Sequence, residues 1–372
     1  MKALVIGGTG PSGPHIVNGL LSRGYDVAVL HGGQHETEFD EEVEHIHVDP
    51  HFQETLQSGL VNRAFDLTIA TYGRIRIVAE VVKGKTERLI TIGGGGVYAQ
   101  RNDSRWGPLG PPLMLKEDSP LANNPEGTRL PYMMWVTEQT VMDGHKKGHY
   151  NSTIFRYPQI YGPNSPANPE WSTLRRILDS RKHIIISNDG LPQRRAFGQN
   201  AAHAILLGVD NPNKANGEIY NVREDFQYSP RDIIKFILKM LEYDCTLVEM
   251  PSNIANRVYK GNSAGEVRPT VNYDITKIKN HLGYNDLIPP NDALSYSIQW
   301  LLNNRPLQGS EIELQLGDPF AYKVEDELIL AYENSMSNFD GIKFPDIASG
   351  HMYRHPKNPG DAWKPQSKIK KS

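Results

Sequence analysis

The residues best suited to chemistry are glycines near the start of the chain. Every third position is glycine in the run Gly7-Gly8-Thr9-Gly10-Pro11-Ser12-Gly13. Glycine at these positions lets the backbone turn sharply and come close to a pyrophosphate. Free N–H groups at the start of a following helix attract the same anion. The spacing therefore predicts a turn that binds the diphosphate bridge of a dinucleotide.

The elements around this turn are the ones that such a site requires. Residues 3–6 form a short apolar run that predicts a buried strand, and the apolar spacing over 16–21 predicts a helix. Gly24 ends that helix, and a second buried strand is predicted over 27–30. A glycine motif alone is a weak signal, but here it has the strand before it and the helix after it. We therefore predict a Rossmann-type, doubly wound α/β fold with a parallel sheet.

Further along the chain, strands and helices continue to alternate. Strands are predicted over 44–48, 67–70 and 89–92, with a helix over 75–82, and this order indicates a parallel sheet covered on both faces. The composition changes after about residue 163. We predict a nucleotide-binding domain over 1–163 with later strands interleaved, a smaller substrate-binding lobe over 164–308 and a C-terminal extension over 309–372.

The overall composition limits the class of partner. A net charge of −3 over 372 residues gives no general attraction to nucleic acid or to an anionic membrane. The sequence has no signal-peptide pattern and no apolar run of about eighteen residues. Its single cysteine, Cys245, fits a reducing compartment. We therefore predict a cytoplasmic protein with a small-molecule substrate and no membrane association. The composition does not favour a nucleic-acid partner and does not exclude one.

Several short motifs follow the glycine turn in a definite order. They are Asp49-Pro50, Val97-Tyr98, Glu117-Asp118-Ser119-Pro120, the run from Arg156 to Pro163, Tyr273-Asp274 and Leu282-Gly283-Tyr284. In these motifs the chain resembles the extended short-chain dehydrogenase/reductases, which include the NAD-dependent nucleotide-sugar epimerases and dehydratases. The stretch from Tyr157 to Gly198 is more similar to an atypical branch that contains chloroplast stem-loop RNA-binding proteins. The resemblance implies an NAD(P) cofactor and a homodimer.

The resemblance also implies roles for individual positions. Gly7, Thr9, Gly10, Pro11, Ser12 and Gly13 would hold the pyrophosphate. Asp49 would bind the adenine amino group, or else is only a loop carboxylate. The remaining contacts would come from Ala70, Thr71 and Tyr72 on the ribose and nicotinamide side, and from Tyr157 and Pro158 beside the nicotinamide.

The catalytic positions depart from the family's pattern of a Ser or Thr, a Tyr, and a Lys four residues after that Tyr. Gly94 stands at the Ser/Thr position. Tyr132 is the candidate tyrosine, yet Val136 follows it at the lysine position, and a second alignment puts Leu130 and Met134 at the Tyr and Lys positions. Without the lysine, the phenol keeps a pKa of about 10 and is a poor general base at neutral pH. Because it still donates a proton, carbonyl reduction is less impaired than alcohol oxidation.

These observations predict an NAD(P)-dependent oxidoreductase or epimerase with altered catalytic residues, for which Tyr132 and Tyr98 are the catalytic candidates. It would reduce a carbonyl of a small or sugar-like substrate. Tyr132 could instead only pack at the start of a helix. Two other functions stay open: a catalytically inactive binding protein, for example for RNA, and a non-redox lyase or isomerase that uses Tyr98, Tyr132 and His351.

Residues outside the turn predict cofactor preference and substrate contacts. The second strand ends in His31-Gly32-Gly33, without the carboxylate that binds the adenosine ribose in NAD-preferring relatives, so His31 is the candidate there and NADP is slightly favoured over NAD. Arg194 and Arg195 fall where nucleotide-sugar enzymes hold the substrate phosphate, or form a solvated surface pair. We assign substrate binding to Arg195 and, from the C-terminal extension, to His351.

Four alternating residues raise the question of a metal. His45, His47, Asp49 and His51 would share one face of an extended strand, and two imidazoles at this spacing can chelate zinc. The other interpretation is a polar face on an edge strand near the adenine pocket. We favour the polar face, because a metal there would crowd the cofactor, and we predict no metal site.

Overall fold

A computed structural model describes residues 1–33, 36–166, 168–188, 192, 194–258, 271–343, 345 and 358–361. The chain divides into two compact units, residues 1–321 and residues 322–372. The first unit therefore contains residues 309–321, which the sequence had assigned to the extension. Within the described ranges, no helix is both long and apolar enough to cross a membrane.

The strands of the described residues are β1 (Lys2–Ile6), β2 (Asp26–His31), β3 (Glu44–His47), β4 (Phe65–Ala70), β5 (Thr86–Gly94), β6 (Met114–Leu115), β7 (Asn151–Tyr157), β8 (Gln159–Tyr161), β9 (His183–Ser187), β10 (Arg195–Phe197), β11 (Glu218–Asn221), β12 (Thr246–Met250) and β13 (Asn272–Tyr273). The helices are α1 (Gly13–Leu21), α2 (Gln53–Gly59), α3 (Ile75–Val81), α4 (Arg129–Lys146), α5 (Glu170–Leu178), α6 (Gly198–Asp210), α7 (Pro212–Ala215), α8 (Pro230–Met240), α9 (Ser252–Ala255), α10 (Thr276–Leu282), α11 (Pro290–Asn303), α12 (Glu311–Gln315) and, in the second unit, α13 (Tyr322–Ser337).

Seven of these strands form the central sheet of the first unit. Their order is β11-β7-β5-β4-β1-β2-β3, and every neighbouring pair is parallel. Ile6 at the end of β1 pairs with Leu30 on one side and with Ala70 on the other. The carboxyl ends of β1, β2 and β4 therefore meet at one edge of the sheet, which is where open parallel sheets bind ligands.

The sheet is buried on both faces, as a doubly wound fold requires. Alternate residues of a strand point to opposite faces. Accordingly, Ala3 and Val5 pack with α1 in one core cluster, whereas Leu4 and Ile6 pack in a second cluster with residues of α2 and α3. The prediction of a Rossmann-type α/β fold is confirmed, and β11, far along the sequence, is one of the interleaved strands.

Residues between β7 and Ala321 also build a smaller core next to the sheet. It contains Tyr161, Trp171 and Phe197 together with residues of α8 and α11. A pair of parallel strands, β9 and β12, packs on the other side of α8. The predicted substrate-binding lobe over 164–308 overlaps this region, and its role stays a prediction.

A buried ion pair joins helix α4 to the central sheet. Arg156 on β7 donates from Nε and Nη2 to the two carboxylate oxygens of Glu138 on α4, at 2.8 Å each. Arg156 also donates from Nη1 to the Tyr98 hydroxyl and to the Glu117 backbone oxygen. Because both charged groups are buried, each depends on the other for compensation of its lost hydration. The pair therefore fixes α4 against the end of β5 and β7.

We expect Glu138→Ala to lower the free energy of unfolding by about 3–5 kcal/mol, because it leaves the Arg156 guanidinium buried without its carboxylate. Urea unfolding measures the change. Glu44→Ala is the matched control: it breaks the Arg63–Glu44 pair, in which the Glu44 side chain is 51% exposed, and should cost less than about 1 kcal/mol. Equal losses in the two variants would contradict the role given to the buried pair.

Candidate functional site

The glycine turn after β1 has the backbone geometry that the sequence predicts. Gly7 and Gly8 have φ angles of 103° and 81°, which residues with a side chain rarely adopt. The Gly7 N–H donates to the Leu30 backbone oxygen at 2.9 Å and so ties the turn to β2. A Cβ on Gly7 would lie 2.2 Å from Thr71 Oγ1, so the turn also lies directly against the end of β4.

The turn and the start of α1 are in direct backbone contact. A Cβ on Gly13 would lie 2.3 Å from both the carbonyl carbon and the oxygen of Gly8. By contrast, a Cβ on Gly10 would meet nothing within 4 Å, so the outer side of the turn is open. A Cβ on Gly198, at the start of α6, would likewise lie 2.1 Å from the Pro11 backbone oxygen. Residues 7–13 thus form an open anion cradle. It fits a pyrophosphate, since only glycine lets the backbone amides come so close to a ligand.

The residues after β3 and β4 lie at the edge of this cradle. Thr71 donates from its N–H and its hydroxyl to the Ile6 backbone oxygen, at 2.8 and 3.0 Å, so its side chain fixes the strand end. Asp49 accepts hydrogen bonds from the N–H and Nδ1 of His51, and these bonds lower the pKa of its carboxyl. The exposed ring of Tyr72 meets His51 edge-on, with 5.0 Å between the ring centroids. Asp49 and Tyr72 thus both contact His51 beside the turn.

Tyr157 occupies the core below the turn. Its hydroxyl donates to the Ala201 backbone oxygen at 2.9 Å, and its ring packs with Ile16 in the cluster shared by α1 and α6. Burial raises the pKa of this phenol far above its usual range. Pro158 follows it, half-buried, between β7 and β8.

The run of four glycines at the end of β5 makes room for two large side chains. The Met134 methyl carbon lies 2.6 Å from where a Cβ on Gly94 would stand, and its sulfur lies 2.9 Å from that of Gly96. The Tyr273 hydroxyl lies 1.2 Å from the corresponding point on Gly95. Met134 therefore faces the Gly94 position, and this contact supports the alignment that puts Leu130 and Met134 at the family's Tyr and Lys positions.

The two candidate tyrosines lie in different surroundings. Tyr132 is two residues from Met134, which is about 200° around an α-helix, and its ring stacks on Trp135 at 5.7 Å. Tyr98 is buried: it donates to Asn221 Oδ1 at 2.6 Å and accepts from Arg156 Nη1 at 3.0 Å. Burial raises the pKa of Tyr98 to about 12. At neutral pH the Tyr98 hydroxyl is therefore protonated and occupied.

A cavity of about 350 Å³ lies beside the contact between Gly94 and Met134. Its walls come from the start of α3, the end of β5 and one side of α4, and include Arg74, Arg76, Thr91 and Glu138. Sequence reasoning missed the two arginines. The signal that could have found them is their place directly after β4, where the chain enters the ligand-binding edge of the sheet.

Arg194 and Arg195, which the sequence places at the substrate-phosphate position, lie in different surroundings. Arg195 is buried, pairs with the Glu170 carboxylate, and stacks its guanidinium on the Tyr161 ring at 3.5 Å. Its charge is thus already compensated inside the lobe. Arg194 is half-buried and lies over the Tyr273 ring at 4.8 Å, which leaves it the more accessible of the two. His351 lies outside the described residues.

The carboxylate of Glu36 lies beside the end of β2, which the sequence does not predict. His31 is buried, and its Nε2 lies 2.9 Å from His45 Nδ1 and 3.8 Å from a carboxylate oxygen of Glu36. Glu36 belongs to the loop after β2, so its approach depends on how that loop folds back over the strand.

Residues 3–222 match a family described as the NAD dependent epimerase/dehydratase family, which covers more than half of the chain. The chain belongs to this family. It is 23% identical over 329 residues to a UDP-N-acetyl-alpha-D-glucosaminuronate decarboxylase of Bacillus cytotoxicus, with 80% of this chain and 97% of that protein covered.

Solved structures show the same architecture. A UDP-glucose 4-epimerase of Thermotoga maritima, solved with UDP-glucose, matches with a TM-score of 0.65 at 17% identity, over 82% of this chain and 100% of that one. A UDP-glucuronic acid 4-epimerase of Bacillus cereus, solved with UDP-glucuronic acid and NAD, matches with a TM-score of 0.62 at 19% identity, over 82% and 100%. At these identities the likeness establishes the fold and not the reaction.

We expect Gly13→Ala to weaken NAD binding by at least about tenfold, because the added methyl pushes the turn away from α1. One hydrogen bond to a charged group is worth about 1.5–3 kcal/mol, and about 1.4 kcal/mol corresponds to tenfold in affinity. Isothermal titration with NAD measures the effect. Gly10→Ala is the folding control, since its methyl meets no atom and its thermal unfolding midpoint should stay unchanged. Unaltered affinity in Gly13→Ala would contradict the cradle.

Proposed function

We propose that the chain is an NAD(P)-dependent oxidoreductase or isomerase that favours carbonyl reduction on a small, sugar-like substrate. The observation that carries the cofactor half of this proposal is the backbone contact between Gly8 and Gly13, which leaves an open anion cradle at the edge of the sheet. A bound nicotinamide dinucleotide supplies or accepts a hydride.

The cofactor would be held by the turn and by the neighbouring strand ends. The turn residues bind the pyrophosphate through their backbone amides. Asp49, which its contacts with His51 keep ionised, accepts a hydrogen bond from the adenine amino group. Thr71 and Tyr72 border the path from the pyrophosphate towards the cavity beside Gly94.

Reduction is favoured over oxidation because the site has no free base. Glu138 is the only carboxylate among the described residues that line the cavity, and both of its oxygens bind Arg156. Met134 has no titratable group to replace a lysine. Alcohol oxidation needs a group that accepts the hydroxyl proton, whereas in carbonyl reduction water can deliver the proton to the product oxygen.

Arg74 and Arg76 support an anionic substrate. Both line the cavity, and guanidinium groups bind phosphate and carboxylate groups through two parallel hydrogen bonds. The decarboxylase and the UDP-glucuronic acid epimerase to which the chain is similar both act on sugars that carry a carboxylate. We therefore propose a sugar-like substrate with a negative charge.

The family description bears on the choice between the two nicotinamide cofactors. The sequence slightly favours NADP, because no carboxylate follows β2 directly. The family that residues 3–222 match is described as NAD dependent, and this supports the opposite preference. We propose NAD as the preferred cofactor.

We also propose an oligomeric state and a cellular compartment for the chain. We propose a homodimer through α4, which the resemblance to the extended short-chain dehydrogenase/reductases implies. Light scattering on the purified chain would measure the mass. The single cysteine, half-buried, supports a reducing compartment such as the cytoplasm.

A second candidate function is cofactor-dependent binding without turnover. It is favoured by the packing of Met134 and Tyr273 onto the glycines at the end of β5, which fills the place of the family's catalytic side chains. Such a protein would bind NAD and a sugar-like ligand but would not transfer hydride.

The test is to measure binding and turnover separately. Titration with NADH and NADPH reports cofactor binding, and loss of NADH absorbance with a panel of charged keto-sugars reports reduction. Binding with turnover supports the reductase, and binding without turnover on any substrate supports the second candidate. No binding of either cofactor would overturn both.

We expect the double variant Leu130→Tyr/Met134→Lys to raise NAD-dependent alcohol oxidation by about 10²-fold or more, the usual contribution of general base catalysis. The new lysine lowers the pKa of the new phenol and makes it a base. Leu130→Phe/Met134→Leu is the matched control, with similar side-chain volume and no titratable group. Equal rates in the two variants would show that these positions do not face the substrate.

A further inference from the structure

Four metal-ligating side chains meet at the outer edge of the central sheet, away from the proposed catalytic cavity. His31 ends β2, His45 and His47 lie on the edge strand β3, and Glu36 comes from the loop between these strands. Their candidate ligand atoms all lie within 4.8 Å of one another. The proposed function gives no role to His45 or His47, and His31 is the residue that the sequence places near the adenosine ribose.

The parallel pairing of β2 and β3 brings the three histidines together. His31 pairs directly with His47 across the two strands, and His45 lies two residues before His47 on the same face. The ring centroids are 5.1 Å apart for His31 and His45, and 4.8 Å apart for His31 and His47. The sheet itself therefore fixes three imidazoles on one small patch.

Glu36 completes the cluster from the side. One of its carboxylate oxygens lies 3.4 Å from His45 Nδ1, and the other lies 3.3 Å from His47 Nε2. A tetrahedral zinc ion bound at about 2.0–2.1 Å holds its ligand atoms about 3.3–3.4 Å apart. Each oxygen of Glu36 lies at about this distance from one imidazole nitrogen. His31 and His45 need to move apart by a few tenths of an ångström, and the wider pairs, which are up to 4.8 Å apart, need to come closer.

Two simpler explanations of the cluster fit less well. A bound 2′-phosphate would suit three imidazoles, but the Glu36 carboxylate inside the cluster repels it. A purely structural hydrogen-bond cluster would explain the contact of 2.9 Å between His31 and His45, yet it leaves the exposed His47 and Glu36 without a reason to converge.

We propose that His31, His45, His47 and Glu36 form a binding site for a zinc ion. Three neutral imidazoles and one carboxylate are a ligand set that zinc accepts, and four protein ligands make a closed, structural site. The ion would hold the loop after β2 against the edge strand, next to the part of the cleft that receives the adenosine.

Metal binding requires one local change in this region. His31 Nδ1 accepts a hydrogen bond from the Gly33 N–H at 3.2 Å, so the ring proton is on Nε2. For Nε2 to bind zinc, that proton has to move to Nδ1 and the Gly33 amide has to turn away. Gly33 is exposed and has a φ angle of 73°, so the chain is free of side-chain constraints at this point.

From the sequence we favour a polar face, because a metal beside the adenine pocket would crowd the cofactor. The candidate ligands there are His45, His47, Asp49 and His51 on one extended strand, but β3 ends at His47, and Asp49 pairs with His51 instead. The additional ligands come from β2 and from the loop, which strand alternation cannot show.

The experiment uses the untagged full chain, treated with a chelator, incubated with zinc sulfate and separated from free metal by gel filtration. We expect about one zinc per chain by elemental analysis, and visible absorption bands of tetrahedral cobalt when Co²⁺ replaces zinc. His47→Gln and Glu36→Gln should each weaken zinc binding by at least about 10- to 100-fold, since even partners outside the ligand shell contribute that much.

The choice of variants keeps the result interpretable. The His47 side chain is 55% exposed and that of Glu36 57%, so both variants should fold, which circular dichroism checks. His51→Gln is the matched control, because His51 lies in the adjacent segment and outside the cluster, and it should bind zinc normally. Absence of zinc from the unaltered chain, or equal binding by all three variants, would overturn the proposal.

Discussion

The backbone contact between Gly8 and Gly13 is the constraint on which the cofactor site depends. It forces the chain from β1 into α1 within a few residues, and any side chain at Gly13 would push the helix off the strand end. Because β1 lies between β2 and β4 in the sheet, the ends of these two strands are aligned with this turn on either side. The contact between Gly8 and Gly13 thus packs α1 close to the strand end, and the outer side of the turn stays accessible to an anion.

The region around Gly94 keeps the framework of the fold while its residues depart from the family's catalytic pattern. The ion pair between Arg156 and Glu138 holds α4 at the sheet, whatever residue stands one turn earlier on the helix. Met134 can stand at that position only because glycine at 94 and 96 leaves room for its thioether. The loss of the lysine and the loss of the Ser or Thr side chain are therefore sterically linked changes.

Local patterns predicted much of this protein. The strand, turn and helix over residues 2–21 follow from apolar spacing and from the positive φ angles that glycine allows, and both act over neighbouring residues. The missing lysine could also be recognised by position alone. By contrast, the sequence leaves the alignment of α4 open, because Leu130 and Tyr132 both stand near the helix start. The contact of Met134 with Gly94 supports the alignment through Leu130 and Met134.

What the sequence determined by itself is therefore the nucleotide-binding architecture and the departure from the family's catalytic residues. Only the tertiary structure decided which polar side chains have a buried hydrogen-bond or ion-pair partner. Tyr98 and Arg195 are plausible site residues by position, yet folding buries them with Asn221 and Glu170. Such partners lie on distant segments, and a buried polar group has to find one, whatever its place in a motif. The convergence of Glu36 with three histidines has the same origin, in strand register and loop path.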